Sequence, residues 1–251
     1  MIRGIYTALS GFNLYEMKQS ILANNIANID TPGFKKDILA IEGQNEVELF
    51  RFVSGEVPNF IGTLPLSVQP QVDFSTDFSQ GRLEATGNPF DFALSGEGFF
   101  VVETEKGPAY TRAGNFTRSA DGRLVTLSGY PVQGEAGDIV LPERGELVVD
   151  AEGNIRVGGE LVGKLRVVRF SNPQLLEKLG GNLFRAPEGV LPEEATGYTI
   201  HQGFLEKANL DVVEAMVRMI EALREYELAQ RAVVAQDETL GKAVNEIPRL
   251  G

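Results

Sequence analysis

The chain has 251 residues, of which 43% are hydrophobic and 23% charged, as is typical of a folded protein. It contains no cysteine, which excludes disulfides, thiolate catalysis and cysteine-based zinc sites. The formal net charge of −12 disfavours nucleic acid as a partner. No segment approaches the roughly 20 apolar residues that cross a bilayer, so we expect no direct membrane insertion.

The first predicted element is a helix over residues 2–29. Its apolar face, which repeats at helical spacing, consists of Ile5, Leu9, Phe12, Leu22 and Ile26. The helix ends at Asp30-Thr31-Pro32-Gly33, because proline disfavours helical geometry at the residue before it and glycine adopts the turn that follows. The N-terminus has no continuous apolar core and no small-residue cleavage site, so we expect no cleaved signal peptide.

Two segments follow the helix. Residues 35–80 contain several prolines and no sustained period, which predicts an irregular or extended connector. Residues 81–205 alternate short apolar runs such as Phe99-Phe100-Val101-Val102 with turn signals such as Asp121-Gly122. Closely spaced strands with such turns predict a mostly antiparallel β domain, either a sandwich or barrel-like.

The C-terminal region, residues 206–251, predicts a second long helix. Eleven positions from Val212 to Ile247 follow one another in steps of four and three, and nine of them are apolar. Such a heptad pattern is typical of a coiled-coil helix, although a long amphipathic helix inside one globular domain remains an alternative. A second apolar stripe, at Val213, Val217 and Ile220, predicts a helix that packs among several neighbours, including other subunits.

Nothing in the sequence indicates catalysis. His201 is the single histidine, and we interpret it as structural because no cysteine or second histidine accompanies it. Gly96-Glu97-Gly98 precedes a strand rather than a helix, which favours a turn over a phosphate-binding loop. We therefore predict no catalytic, cofactor-binding or metal-binding residues and no cofactor.

Four blocks of sequence resemble the flagellar basal-body rod proteins of the FlgG and FlgF type, within the rod and hook axial proteins. The blocks are Asn24-Asn25-Ile26-Ala27-Asn28 with Thr31-Pro32-Gly33-Phe34-Lys35; Gln80-Gly81, Thr86-Gly87-Asn88-Pro89 and Gly96-Glu97-Gly98-Phe99-Phe100-Val101; Tyr110-Thr111-Arg112-Ala113-Gly114 with Asp121-Gly122-Arg123-Leu124-Val125; and Gly203-Phe204-Leu205-Glu206 with Asn209, Met219-Ile220, Arg224, Tyr226-Glu227 and Asp237-Glu238. They occur in the family's order from one end of the chain to the other.

The resemblance implies an α+β fold in which the N- and C-terminal helices pair as a coiled coil and a central, mostly antiparallel β domain lies outside them. The corresponding segments are an N-terminal helix (1–34), an extended connector (35–80), the β domain (81–205) and a C-terminal helix (206–251). It also implies a non-enzymatic subunit of the rod that crosses the periplasm. Its partners would be copies of itself, other rod and hook proteins and the flagellar type III export apparatus.

Alternatives remain at this level. Within the family, we favour a subunit of the distal rod over one of the proximal rod. A hook-type axial protein is a further alternative. From other classes, a secreted β-domain glycosidase would need two carboxylates at a defined separation, and a carbohydrate-binding protein would show exposed aromatic side chains. For the rod reading, we predict an assembly interface made of Ile5, Leu9, Phe12, Leu22, Ile26, Val212, Val213, Met216, Val217, Met219, Ile220, Leu223, Tyr226, Val233 and Leu240.

Overall fold

The computed structural model describes residues 2–42, 46–51, 59–65 and 71–246. Within them lie two long helices, α1 (Ile2–Ala27) and α2 (Val212–Glu246), and a short 3-10 turn at Pro173–Leu175. The strands up to Ser95 are β1 (Asp37–Glu42), β2 (Glu46–Arg51), β3 (Asn59–Pro65), β4 (Gln71–Thr76), β5 (Leu83–Ala85) and β6 (Phe92–Ser95). The next are β7 (Phe99–Thr104), β8 (Gly107–Thr111), β9 (Phe116–Arg118), β10 (Leu124–Thr126), β11 (Gln133–Gly134), β12 (Gly137–Asp138), β13 (Leu147–Val149) and β14 (Asn154–Val157). The last are β15 (Glu160–Lys164), β16 (Val167–Arg169), β17 (Glu177–Gly180), β18 (Leu183–Arg185), β19 (Glu193–Glu194), β20 (Thr199–Gln202) and β21 (Phe204–Glu206).

The chain divides into two compact units, and the division does not follow chain order. The first unit contains α1 as far as Ile26, most of the strands in residues 37–75, and α2. The second unit contains residues 76–211 together with a short separate segment, Ala27–Lys36. The few residues that follow α1 therefore belong to the β unit, although the chain on both sides of them belongs to the other unit.

The β unit is organised around a six-stranded antiparallel sheet in the order β17-β18-β8-β7-β16-β19. Side chains alternate between the two faces of a strand, so Phe99 and Val101 lie on one face of β7 while Phe100 and Val102 lie on the other. Both pairs are buried, in two different hydrophobic clusters. The continuous apolar run of β7 thus follows from burial of both faces of the sheet.

Two turns in the β unit have the same hydrogen-bond pattern. In each, a polar side chain accepts from the amide four residues later: the Ser119 hydroxyl from Arg123, at 3.1 Å, and the Asp150 carboxylate from Asn154, at 2.8 Å. The glycine between them has positive φ, +79° at Gly122 and +88° at Gly153. Each turn leads into a strand with a buried apolar residue, which explains the turn signals present in the sequence.

The described residues of the predicted connector include extended strands. Residues 37–76 contain four strands: β2 pairs with β3 in an antiparallel hairpin, and β1 pairs with β4. Glu46-Val47-Glu48-Leu49 in β2 alternates polar and apolar residues, but the run is too short to stand out. The β1–β4 pairing joins segments about 30 residues apart, which no local pattern encodes.

The predicted coiled coil of the terminal helices is wrong. The structure has two terminal helices and a large antiparallel β domain, but the predicted seam of α2 is open, since Val212, Met216 and Leu223 are 40–53% exposed. The buried positions are instead Ala215 and Ala222, which are 1% and 0% exposed. A coiled coil inserts its seam side chains into holes of the facing helix, and exposed seam side chains have no hole to fill.

Among the side chains that the structure describes, two contacts join α1 and α2. The Phe12 and Tyr226 ring centroids are 4.7 Å apart, and the Lys18 ammonium donates to the neighbouring carboxylate of Glu225 at 2.6 Å. Both contacts lie on a single turn of α2, so they do not form a sustained seam.

In the described part of the chain, no helix is long and apolar enough to span a membrane.

Candidate functional site

The segment Ala27–Lys36, which begins at the last residue of α1, is called the strap here. Its path is set by a turn in which the Thr31 amide donates to the Asn28 carbonyl at 3.0 Å, and by Gly33, whose φ is +68°. A Cβ atom at Gly33 would overlap the backbone of Ala113, so only glycine fits this close approach. The Gly33 amide donates to the Glu206 carbonyl at 2.7 Å, which docks the turn beside β21.

The strap packs against Ala113, Lys178, Asn182 and Glu206 of the β unit, which are together called the strap groove. The Asn182 side-chain amide donates to the Pro32 carbonyl at 2.9 Å. The Lys178 ammonium donates to the Lys35 carbonyl at 2.7 Å and lies 4.9 Å from the centre of the Phe34 ring, a cation–π distance. Phe34 itself is buried. The groove therefore recognises backbone, aromatic and charged features of the strap.

A buried charge cluster lies at the end of the strap. The Lys35 ammonium donates to Glu206 Oε1 at 2.6 Å and to the Ser79 carbonyl at 2.7 Å, and both charged side chains are fully buried. Arg112 Nη1 lies 3.5 Å from Glu206 Oε2, and its Nη2 donates to the Gly96 carbonyl at 2.7 Å. Glu206 is thus the carboxylate shared by two buried cations.

Burial dominates the electrostatics of the two cations. It lowers the pKa of Lys35 below its ordinary value, and the facing Glu206 carboxylate opposes that shift. Burial lowers the pKa of Arg112 in the same way, again opposed by Glu206. Among the residues that the structure describes, the buried donor Arg112 Nε has no hydrogen-bond partner. The cluster therefore depends on Glu206 to offset two desolvated positive charges.

Asn209 connects three chain segments next to the cluster. Its Oδ1 accepts from the Lys36 amide at 2.9 Å, while its Nδ2 donates to the Asp77 carbonyl at 2.8 Å. The Lys36 ammonium also pairs with the Asp77 carboxylate at 3.3 Å. The strap, the chain entering β5 and the chain leaving β21 toward α2 are thereby tied together.

The base of the strap is closed within the first unit by Asn25. Its Nδ2 donates to the Asp37 carbonyl at 2.8 Å, and its Oδ1 accepts from the Asp37 amide at 2.9 Å. Asn25 is buried, so this reciprocal pair replaces water for both backbone groups. The strap is therefore a loop whose two ends are joined.

We expect Asn25→Ala to lower the free energy of unfolding of the first unit by about 1–3 kcal/mol, because the half-buried amide and carbonyl of Asp37 lose their hydrogen bonds to Asn25. Ser20→Ala, at an exposed position of the same helix, is the matched control and should change it by less than about 0.5 kcal/mol. Urea unfolding followed by circular dichroism measures both. Equal stability of the two variants would contradict the assigned role of Asn25.

The predicted assembly residues of α2 lie largely on one exposed surface. This surface, called the α2 apolar surface, consists of Val212, Val213, Met216, Val217, Ile220, Leu223, Leu228 and Val234, each 40–71% exposed. Leu228 and Val234 are additions that the sequence analysis did not include. Isolated soluble chains rarely expose a contiguous apolar stripe of this kind.

The other predicted assembly residues are placed differently. Phe12, Leu22, Ile26, Met219, Tyr226 and Val233 are half-buried. The side chains of Ile5, Leu9 and Leu240 lie outside the described residues, although all three positions fall within α1 or α2.

The β unit has a cleft of about 520 Å³ beside the cluster, lined by residues that include Asp77, Glu97, Phe99 and Arg112. A glycosidase would need a carboxyl group that stays protonated there. Burial acts to raise the pKa of Asp77, but hydrogen bonds from Ser79 and Lys36 outweigh it and lower that pKa below its ordinary value.

The single histidine, His201, lies in β20 with its ring centroid 5.9 Å from that of Phe204. Among the described residues, no group of three or more histidine and acidic side chains is placed to hold a metal ion.

Sequence reasoning did not single out the charge cluster, although a signal was present. Lys35, Arg112 and Glu206 each lie in one of the quoted motifs, within two residues of a glycine or an aromatic residue. A charged residue in an otherwise tightly packed motif indicates a buried pair, since long charged side chains are almost never fully buried alone. Which charges pair could not be read from positions 171 residues apart.

Comparison with known proteins matches three family models along the chain. Residues 5–35 match the flagella basal body rod protein model, residues 93–157 the flagellar hook protein FlgE/F/G D1 domain, and residues 201–246 the flagellar basal body rod FlgEFG protein C-terminal model. The first of these matches contains α1 and almost the whole strap, and the third contains Glu206, Asn209 and α2.

Full-length relatives are similar from end to end. The flagellar basal-body rod protein FlgF of Caulobacter vibrioides is 31% identical, covering 100% of this chain and 99% of the relative. The flagellar basal-body rod protein FlgG of Bacillus subtilis is also 31% identical, over 98% and 99%. FlgF of Salmonella typhimurium is 31% identical over 97% of each chain.

Proposed function

Because this chain belongs to the flagellar basal-body rod protein family, we propose that it is a structural subunit of the rod that assembles helically with copies of itself. Its place is the flagellar basal body, and its neighbours are other rod and hook proteins. Both FlgF and FlgG relatives match at equal identity, so the preference for the distal rod over the proximal rod stays a prediction.

The observation that carries this proposal is the α2 apolar surface. In a lone subunit its valine, isoleucine, leucine and methionine side chains are in contact with water, which is unfavourable by about 25 cal/mol for each Å² of apolar area. Burying them against neighbouring subunits removes that cost repeatedly along a filament. We propose that this surface is the principal subunit contact.

The remaining predicted residues supplement that surface. Phe12, Leu22, Ile26, Met219, Tyr226 and Val233 would complete the contact where their half-buried side chains reach a neighbour, and Ile5, Leu9 and Leu240 are proposed from their sequence positions alone. We propose further that residues 1–34, 35–80, 81–205 and 206–251 contribute as distinct segments of the subunit.

The role we propose is mechanical rather than enzymatic. The subunit would need no cofactor, would be exported by the flagellar type III apparatus without a cleaved signal peptide, and would form part of the rod that crosses the periplasm.

Assembly can be tested with the purified chain. We expect negative-stain images to show rod-like polymers at high protein concentration and single subunits after dilution, because association through an apolar surface depends on concentration. Light scattering over the same range of protein concentration gives the concentration at which half of the protein is polymeric. A compact monomer at every concentration, with α2 helical by circular dichroism, would argue against self-assembly and in favour of contacts with other rod proteins only.

A further inference from the structure

The strap belongs to a different unit from the chain on either side of it. Its flanks, up to Ile26 and from Asp37 onward, belong to the first unit, and Asn25 joins them through the two hydrogen bonds to Asp37. The strap between them belongs to the β unit. Its attachment to the β unit therefore depends on the contacts of about ten residues.

Those contacts come from groove residues that the β unit holds in place without the strap. Ala113 follows β8, Asn182 precedes β18, and Glu206 ends β21. These strands pair with other strands of the β unit: β8 and β18 with each other, and β21 with β5. The groove is consequently part of a sheet framework that does not use the strap as a strand.

The charge cluster would also tolerate an empty groove. If Lys35 leaves, Glu206 keeps Arg112 at 3.5 Å and the Gly81 amide, which donates to its Oε1 at 2.8 Å. Removing one partner of a buried pair is costly mainly when it leaves an uncompensated charge. Here one carboxylate and one guanidinium remain, so the groove keeps a balanced pair.

We propose that the strap groove is a peptide-binding site, and that the strap of a second copy of this chain can occupy it in place of the chain's own. The ligand is recognised by three features: a glycine in the left-handed conformation against Ala113, a buried aromatic ring beneath Lys178, and a lysine ammonium on Glu206. This inference is independent of the α2 apolar surface, because none of the groove residues lies in α2.

The test uses the full-length chain with its own strap weakened. In Lys35→Glu the strap carries a carboxylate where it would face Glu206, so the groove should be vacated. The probe is a fluorescein-labelled peptide with the natural sequence of residues 27–38, and its binding is followed by anisotropy. We expect saturable binding to this variant and at least about tenfold weaker binding to the natural chain, whose own strap competes at high effective concentration.

The matched control is the same peptide with Lys35→Glu, which should bind about 100-fold or more weakly because it cannot pair with Glu206. Hydrogen exchange supplies two internal readings. The Gly33 amide, which donates to Glu206, reports whether the chain's own strap has left, and the Phe100 and Val102 amides report whether the β unit is folded.

A second variant, Gly33→Val, guards against an effect peculiar to one substitution, because it displaces the strap by steric overlap with Ala113 rather than by charge. Binding of the natural peptide to either variant, with the β unit protected, supports the proposal. Three results would overturn it: no binding to a vacated and folded variant, loss of β-unit protection in both variants, or a backbone amide at position 33 that stays protected in both.

Discussion

Glu206→Gln is expected to lower the free energy of unfolding of the β unit by about 3–5 kcal/mol, because it leaves two buried cations without their shared carboxylate. The geometry that sets this cost is the 2.6 Å contact of Lys35 with Oε1 and the 3.5 Å contact of Arg112 with Oε2. Glutamine keeps the shape of the side chain, so the loss of stability measures the removal of the charge and not a change in side-chain volume. Urea unfolding of the full-length chain measures this change in the free energy of unfolding.

Two further variants make this measurement specific. Glu177→Gln removes an exposed ion pair with Arg185 and should cost less than about 1 kcal/mol. Combining Glu206→Gln with Lys35→Met should recover part of the loss, because one of the two uncompensated cations is gone. If Glu206→Gln costs no more than Glu177→Gln, the shared carboxylate does not stabilise the β unit and the description of the cluster is wrong.

Ile220→Glu is expected to abolish polymer formation while leaving the folded subunit unchanged. Ile220 is 51% exposed in the single chain, so a carboxylate is tolerated there in the monomer. In a polymer the same position would be buried against a neighbour, and an unpaired buried carboxylate costs several kcal/mol. The cost recurs at every subunit contact, which should raise the concentration needed for assembly by at least about 100-fold.

Ala232→Glu is the matched control for this effect. It introduces the same side chain at another exposed position of α2, twelve residues further on, which is about 120° round the helix from Ile220 and next to Leu228 at the edge of the apolar surface. Both variants should be helical and monomeric when dilute, and only Ala232→Glu should polymerise like the natural chain. Normal polymers formed by Ile220→Glu would exclude this part of α2 from the subunit contact.

Several features of this protein were determined by the sequence alone. The two terminal helices follow from apolar residues at helical spacing, and the β unit follows from short apolar runs separated by glycine turns such as Gly122 and Gly153. The four motifs, being specific and in order, are sufficient by themselves to indicate the rod family. All of these signals are local, since each can be read from residues adjacent or nearly adjacent in the chain.

Local sequence signals did not determine which side of α2 is buried. Both apolar stripes fit a buried face, and the structure instead buries Ala215 and Ala222 while it leaves Val213 and Val217 exposed. Periodicity reports that a helix has apolar sides, but not which side meets a neighbour. Small residues such as alanine permit close approach and carry little hydrophobic signal, so the sequence pattern did not indicate that Ala215 and Ala222 lie on the side buried within the chain.

The strap and its charge cluster were decided only by the tertiary structure. Lys35, Arg112 and Glu206 come from three distant parts of the chain, and the sequence does not show which of its charged residues pair with one another. Their pairing requires that the turn at Gly33 pass over Ala113 and that β21 end beside it. Long-range contacts of this kind depend on the arrangement of the whole sheet, because burial of a charge is tolerated only where the fold supplies the opposite charge at the same point.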